Sequence, residues 1–272
     1  FQVPHRFFEA RKSEHGVDLP AAGTYGVAML FGLKDTELRK QCHDLFCQAV
    51  AHYGLVVLGQ RDVPGDTSGL GDLARASEPY VYQVFIGAGG IEGDALERTL
   101  YMARKRTERL VSETLGEKAA EFYICSMSSK TICYKGMFLA PQLFGYYTDL
   151  SSPDMESAMA LVHQRYSTNT FPNWQLAQPF RMIAHNGEIN TLSGNANKMR
   201  AREGLMESEL LGKDLTDLSP ILTPGSSDSA QFDNAVELLT RAGRSLPHAM
   251  MMMVPEAFGA NYHISTDKRA FY

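Results

Sequence analysis

Two short runs of apolar residues constrain the fold of this chain more than any other feature. YGVAMLFGL (25–33) and AMMMMV (249–254) have the length of a strand and contain no charged residue. A strand that is apolar on both faces must be covered on both sides. We therefore predict buried strands over 25–33 and 248–258, in an α+β or layered α/β domain. Either two sheets stack on each other, or helices cover both faces of one sheet.

The remaining elements are predicted from hydrophobic periodicity and from helix start and stop signals. Strands are expected over 55–63, 78–87, 160–168 and 180–187, and a hairpin over 122–136. Helices are expected over 35–54, 93–116, 191–206 and 226–243, with Thr191 capping the third and Gly243 ending the fourth. No internal repeat and no break in composition interrupts the 272 residues, so we expect a single domain over 1–272.

Composition excludes several classes of function. The net charge of −5 provides no basic field for nucleic acid. Two basic clusters, ARKRTERL (103–110) and KMRARE (198–203), lie within helical patterns and are interpreted as solvated helix faces. No apolar run approaches the ~18–20 residues that span a bilayer, so no membrane partner is expected.

Two features suggest a metal or nucleotide site but lack the necessary spacing. The chain has four cysteines, at Cys42, Cys47, Cys125 and Cys133. They form neither a C-x-x-C pair nor a zinc pattern, and a chain of this length does not need disulfides. We expect Cys125 and Cys133, which flank the turn of the predicted hairpin, to be a pair of buried small apolar side chains. GAGGIEG (87–93) is interpreted as a plain loop, because Glu92 replaces the third glycine of a dinucleotide motif.

A different group of residues suits the binding of an amino acid and the polarisation of its side-chain amide. Arg165 offers a guanidinium fork for an α-carboxylate, and Thr168 adds a hydroxyl. Asp228 offers a carboxylate for an α-amino group. Asn186 and Gly187 offer a side-chain amide and a backbone N–H for a developing oxyanion. Each also has an ordinary explanation, since Asn-Gly is a common hairpin turn and Ser or Asp commonly caps a helix.

Two histidines accompany these residues on the predicted strands. His163 and His185 could each act as a general base. A histidine whose ring nitrogens are satisfied within the fold is the commoner case, and we favour that interpretation for both.

The motifs that carry these residues resemble a known family. HQRYSTNT (163–170), HNGEIN (185–190) and PGSSDSA (224–230) resemble the glutamine-binding motifs of class II, N-terminal nucleophile, glutamine amidotransferases. GLGDLARASEP (69–79) and AGRSLPHAMMMMVPEAF (242–258) are similar to the glutaminase domain of the large subunit of glutamate synthases. The resemblance covers nearly the whole chain.

The resemblance implies a fold and a role for each candidate residue. The fold would be α+β, a four-layer αββα sandwich that is incomplete at its N-terminus. Arg165 and Thr168 would bind the α-carboxylate of L-glutamine, and Tyr166 would lie beside the substrate. Asp228 would bind the α-amino group, while Asn186 and Gly187 would form the oxyanion hole.

The resemblance also implies partners and cofactors outside this stretch of sequence. Ammonia would pass through a tunnel to a synthase domain of the same polypeptide, which carries FMN and an iron–sulfur cluster. There it would react with 2-oxoglutarate, using electrons from a reduced pyridine nucleotide, through an electron-donor subunit, or from ferredoxin. No cofactor is expected in these 272 residues. The compartment would be the cytoplasm, or the plastid in a plant.

The sequence departs from the family at the nucleophile. The family uses an N-terminal cysteine whose own α-amino group acts as the base, whereas position 1 is Phe1. The four cysteines fall within predicted elements. We therefore interpret the chain as a fragment that lacks the first strands and the nucleophile, and we expect it to be inactive alone.

Three alternatives stay open at this point. The chain could be a glutamine-sensing module without a nucleophile. It could be a thiol enzyme that pairs Cys125 or Cys133 with His163 or His185, which requires a thiol of low pKa. It could be a structural interaction domain, which leaves Arg165 unexplained.

Overall fold

A computed structural model describes residues 1–166, 171–257, 259 and 262–272. Four strands form one antiparallel sheet in the order β2-β3-β1-β4: β1 (Tyr25–Gly32), β2 (Val56–Asp62), β3 (Tyr80–Gly87) and β4 (Tyr123–Ser128). The helices are α1 (His5–Ala10), α2 (Lys12–His15), α3 (Thr36–His52), α4 (Asp72–Ala76), α5 (Gly93–Leu115), α6 (Leu143–Tyr146), α7 (Leu192–Glu203), α8 (Asp228–Arg241), α9 (Leu246–Met253) and α10 (Thr266–Phe271).

The central strand β1 is buried along its whole length, as the apolar run 25–33 predicts. Alternate side chains point to opposite faces of a strand. Ala28 and Leu30 therefore enter one hydrophobic cluster, and Val27 and Met29 enter another on the opposite face. Both faces of the sheet are covered, and the α+β class is confirmed.

The long helices α3 and α5 cover the first face of the sheet. Asp35 begins α3 by accepting a hydrogen bond from the Leu38 N–H at 2.8 Å, a standard N-cap. Leu96 and Leu100 of α5 are fully buried against the sheet. At Gly26 of β1 an added Cβ would lie 2.7 Å from Leu100 Cδ2, so a glycine lets α5 approach the strand closely.

Aromatic side chains and one buried ion pair fill the layer on the second face. Phe8 of α1 meets Phe85 of β3 edge to face, with ring centroids 5.0 Å apart. Arg61 of β2 pairs with Asp149 at 2.8 Å, and both side chains are at most 3% exposed. Tyr134 also donates a hydrogen bond to Asp149 at 3.1 Å. These contacts attach the short helices after residue 139 to the sheet.

The basic cluster 103–110 on α5 is largely buried, so the prediction of a solvated helix face is wrong there. Arg104 is 2% exposed and pairs with Glu237 of α8. Lys105 donates to the Pro220 carbonyl at 2.7 Å. Its neighbours Arg106 and Arg109 both pair with Asp217. Glu237 and Asp217 lie more than 100 residues from these cations in sequence, while Glu108 of the cluster itself pairs with Arg104 at 2.6 Å. In the second cluster, by contrast, the basic residues of 198–203 are exposed as predicted.

Three predicted strand regions have a different structure. The predicted hairpin 122–136 supplies only β4, after which Thr131 forms a single bridge with Gln2. Within the described part of 160–168 and over 180–187 there is no strand. Over 180–187, Asp233 of α8 and the side chain of Gln178 accept backbone N–H groups in place of a ladder. The described residues contain one sheet, and the second sheet of the sandwich is not formed among them.

The methionine-rich run predicted as a strand over 248–258 is instead the helix α9. Ser245 caps it by accepting a hydrogen bond from the His248 N–H, and Pro247 occupies its first turn. Methionine is a good helix former, and Pro is tolerated at a helix start, so local signals outweigh the strand-like length. At α7 the helix is confirmed, but Thr191 has φ 58° and makes no side-chain cap bond.

In the part of the chain that the structure describes, no helix combines the length and the apolar character needed to cross a membrane.

Candidate functional site

A cavity of about 850 Å³ lies beside the second face of the sheet, next to β4. Its wall includes Arg165, Tyr166 and Asn186, three of the residues that the sequence singles out. Phe1 and Cys133 also line it. This volume falls in the ordinary range for small-molecule sites.

Arg165 and Tyr166 lie on an extended segment along the cavity. Arg165 is exposed, and its guanidinium makes no hydrogen bond or ion pair with another described residue, so it is available to an anion in the cavity. Tyr166 is half-buried and donates a hydrogen bond to the Gly136 carbonyl at 3.2 Å. Burial raises the pKa of Tyr166, so its hydroxyl stays protonated. Thr168 lies outside the described residues.

His163 orients the carboxamide of Asn186. The Arg165 N–H donates to His163 Nδ1 at 3.0 Å, which makes this nitrogen the acceptor of the ring. The proton of the neutral ring therefore sits on Nε2, which lies 2.7 Å from Asn186 Oδ1 and 3.2 Å from the His185 carbonyl oxygen. Since Asn186 Oδ1 accepts this bond, the Nδ2 amino group is left to donate elsewhere. His163 is thus a satisfied histidine, as the sequence favours, whereas the buried Nε2 of His185 has no hydrogen-bond partner among the described residues.

Gly187 and Asp228 lie next to the cavity but do not line it. The Gly187 N–H donates to His185 Nδ1 at 3.1 Å, so it serves an oxyanion only after the ring turns away. Asp228 is the first residue of α8 and is 3% exposed. Its Oδ1 accepts the Ser229 N–H at 2.7 Å, and its Oδ2 accepts the Ile189 N–H at 3.0 Å. Asp228 therefore binds the backbone behind the Asn186 turn.

Two residues that sequence reasoning missed support the same turn. Gln178 spans the His185 backbone: its Oε1 accepts the His185 N–H at 3.0 Å and its Nε2 donates to the His185 carbonyl at 3.1 Å. Asp233 of α8 is 0% exposed and accepts backbone N–H groups from Met182 and Ile183 at 2.7 and 3.0 Å. The sequence signal was available, because a buried acid on the apolar side of an amphipathic helix is unusual.

The thiols do not match a catalytic cysteine. All four cysteines are free, and Cys133 donates to the Pro179 carbonyl at 3.4 Å. Burial raises the pKa of Cys133 and of Cys125, and it raises the pKa of Cys42 to about 11. A reactive thiol needs a lowered pKa. The expected role as small buried side chains is confirmed for Cys125 and Cys133, and the thiol-enzyme alternative loses its support.

Metal-ligating groups are scarce near the cavity. Among the described residues, the group that could hold an ion comprises His52, Asp214 and Asp217, away from the cavity wall. Asp217 already pairs with Arg106 and Arg109, which compete with any cation. Among the described residues, no three cysteines come close enough together to hold one ion, so they do not fit an iron–sulfur cluster.

Comparisons with known proteins identify relatives of the whole chain. A family model described as glutamine amidotransferases class-II matches residues 1–272. The glutamate synthase (NADPH) large chain of Bacillus subtilis is 45% identical over 274 residues, covering 100% of this chain and 18% of the relative. Glutamate synthase (NADH) of Schizosaccharomyces pombe is 41% identical over 278 residues, covering 99% and 13%.

A chloroplast relative extends the range of these matches. The ferredoxin-dependent glutamate synthase, chloroplastic, of Oryza sativa subsp. japonica is 42% identical over 257 residues, covering 94% of this chain and 16% of the relative. The chain thus spans less than a fifth of the length of these three relatives.

Proposed function

Since the chain belongs to the class II glutamine amidotransferases, we propose that its cavity binds L-glutamine and serves hydrolysis of the side-chain amide to glutamate and ammonia. The single observation that carries this proposal is the shared cavity wall of Arg165, Tyr166 and Asn186. A guanidinium that pairs with no other described residue and an oriented carboxamide line the same cavity, as binding of an amino acid with a side-chain amide requires.

Each residue has a role in this proposal. Arg165 binds the α-carboxylate through its planar fork, with Thr168 beside it. Tyr166 packs along the substrate. Asp228 binds the α-amino group, which requires sharing the oxygen that now accepts the Ile189 N–H.

The chemical step needs donors at the substrate carbonyl. When a thiolate attacks the amide carbon, the carbonyl oxygen takes up negative charge, and the departing nitrogen takes up a proton to leave as ammonia. The Asn186 Nδ2 amino group and the Gly187 N–H donate to that oxygen, the latter after release from His185.

The thiolate is proposed to come from outside these 272 residues. Cys42 and Cys47 lie within α3, and burial raises the pKa of both. Burial also raises the pKa of Cys125 and of Cys133. We therefore expect the chain alone to bind glutamine without hydrolysing it.

The relatives support a wider proposal. We infer that 1–272 is a single glutaminase domain of a glutamate synthase, whose synthase domain carries FMN and an iron–sulfur cluster and joins ammonia to 2-oxoglutarate. The printed names of the relatives include NADPH-, NADH- and ferredoxin-dependent enzymes, which supports an electron-donor subunit or ferredoxin as the partner. The cytoplasm, or a plastid in a plant, remains the proposed compartment.

Calorimetry on the 272-residue chain tests the binding proposal. L-Glutamine should bind, and Arg165→Ala should weaken it about tenfold to a hundredfold, since a bond between charged groups contributes about 1.5–3 kcal/mol. Arg200→Ala, at an exposed position of α7, is the matched control and should bind as the parent does.

Two outcomes would overturn these statements. Equal glutamine affinity in Arg165→Ala and the parent chain would refute the site. Ammonia release by the chain alone, above a buffer blank and abolished by Asn186→Ala, would refute the external nucleophile.

A further inference from the structure

The segment that presents Asn186 is attached to α8 by two buried aspartates. Asp228 accepts the N–H of Ile189, three residues after Asn186. Asp233 lies about one and a half turns further along the helix and accepts the N–H of Ile183, three residues before it. The cavity-lining turn is therefore bound at both flanks to one helix.

Asp233 makes an unusual number of backbone contacts for one side chain. Its Oδ1 accepts from Met182 at 2.7 Å and from Ile183 at 3.0 Å, while its Oδ2 accepts from Arg181 at 3.3 Å. The carboxylate is 0% exposed, so water cannot replace these bonds. Three consecutive N–H groups in a region without a strand ladder thus depend on one carboxylate.

A compact charge cluster surrounds Asp233. Arg181 bonds to the Ile124 carbonyl of β4 and pairs with Glu108 at 3.4 Å, which fixes the segment to the sheet as well. The titratable groups that act on Asp233 are Glu237 of α8, Arg181 of the segment itself and Cys133 of the stretch after β4. Three charged residues of α5 extend the cluster by pairing with Glu237, with Arg181 or with one another: Arg104, Lys105 and Glu108.

We propose that Asp233 is a positioning residue for the glutamine site, whose carboxylate fixes the backbone of residues 181–183 and thereby places the Asn186 carboxamide on the cavity wall. This inference rests on the proposed function for its catalytic consequence. Asp233 does not line the cavity, and it acts on the substrate only through the segment it binds. Displacement of a catalytic group by about 1 Å can lower a rate about a hundredfold.

The geometry makes the binding of residues 181–183 by the Asp233 carboxylate sensitive to pH. Burial raises the pKa of Asp233 to about 6, with Glu237 acting in the same direction and Arg181 opposing. Above this pH both carboxylate oxygens of Asp233 accept hydrogen bonds from backbone N–H groups. A proton on either oxygen turns that acceptor into a donor, so one side of the three-bond contact is lost. The segment 181–189 should therefore loosen as pH falls through about 6.

Hydrogen exchange in the full-length polypeptide that carries this domain tests the positioning role. In Asp233→Ala, peptides covering 181–189 should exchange about tenfold faster or more, since each lost bond contributes about 1 kcal/mol. In the parent, their protection, corrected for intrinsic rates, should fall between pH 7.5 and pH 5. Asp233→Asn keeps one acceptor oxygen for Met182 and Ile183, so it should retain their protection and lose the pH dependence.

Asp217→Ala is the matched control, because Asp217 is a buried acid that pairs with Arg106 and Arg109 and accepts from no N–H of the segment. It should leave exchange at 181–189 unchanged. An equal rise in Asp217→Ala, or no rise in Asp233→Ala, overturns the proposal. If Asp233→Ala does not fold, the pH profile of Asp233→Asn decides, and a profile identical to the parent refutes it.

Kinetics separate this inference from the proposed function. Asp233→Ala should lower kcat for glutamine hydrolysis about a hundredfold with KM little changed, because a displaced Asn186 loses contact with the oxyanion rather than with the bound substrate. A loss of activity matching only the loss of folded protein would refute the positioning role. A parent polypeptide with no glutaminase activity would refute the proposed function, and the exchange data would still decide the role of Asp233.

Discussion

Removal of the Asp149 carboxylate should destabilise the domain more than a typical substitution. Asp149 accepts two hydrogen bonds from Arg61, at 2.8 and 3.0 Å, and one from Tyr134 at 3.1 Å. Both partners of the ion pair are at most 3% exposed. Asp149→Ala leaves the Arg61 guanidinium buried with Gln83 and with Glu14, whose side chain is 41% exposed.

The magnitude follows from that geometry. Breaking a buried ion pair by removing one partner costs about 3–5 kcal/mol, and the remaining contact with Glu14 favours the lower end. We expect a loss of about 3 kcal/mol in the free energy of unfolding. Urea unfolding followed by the fluorescence of Trp174, the single tryptophan and a buried member of the same layer, measures it.

A variant in which both partners are replaced provides the control. Replacing both partners, as in Arg61→Met with Asp149→Leu, removes the orphaned charge and should recover most of the loss. A cost below about 1 kcal/mol for Asp149→Ala would refute the reasoning, since surface ion pairs contribute no more than that. So would a double variant no more stable than Asp149→Ala.

Two further predictions concern other buried positions. The pKa of Asp233 is raised to about 6 in the folded state, so ionisation of its carboxyl lowers the free energy of unfolding. This loss is absent below about pH 4 and reaches about 3 kcal/mol above pH 6. Asp233→Asn should therefore gain stability relative to the parent between pH 4 and pH 7, and a pH-independent difference in urea midpoints would contradict this. Gly26→Ala should lose about 1–3 kcal/mol against Leu100, and Leu100→Ala added to it should relieve that strain.

Much of the sheet and its first helical layer could be predicted from local patterns. The strands near 25–33, 55–63 and 78–87 and the helices near 35–54 and 93–116 all form. Each has a clear periodicity of apolar residues and a clear boundary signal, such as Asp35 at the start of α3. Such signals act within a few residues, so no distant contact is needed to read them.

Two of the wrong predictions concern segments whose structure depends on groups distant in sequence. The segment 180–187 has a strand-like composition, yet Asp233 and Gln178 take up its backbone N–H groups, and no ladder forms. The cations at 103–110 have the sequence pattern of a solvated helix face, yet in the fold they pair with Glu237 of α8 and with Asp217. The prediction of a strand over 248–258 is wrong for a local reason: the Ser245 cap and the following Pro247 begin a helix in a run that has the length of a strand.

The sequence by itself determined the residue types of the site, the family and the sheet core. Arg165, Asn186, Gly187 and Asp228 stand in motifs whose order is readable without any structure. Only the tertiary structure decided which of these residues line the same cavity. His163 meets Asn186 across 23 residues, and Asp233 reaches Met182 across 51. The second contact exists because α8 packs against the segment, and both hydrogen bonds, at 2.7 Å, depend on tertiary packing rather than on local pattern.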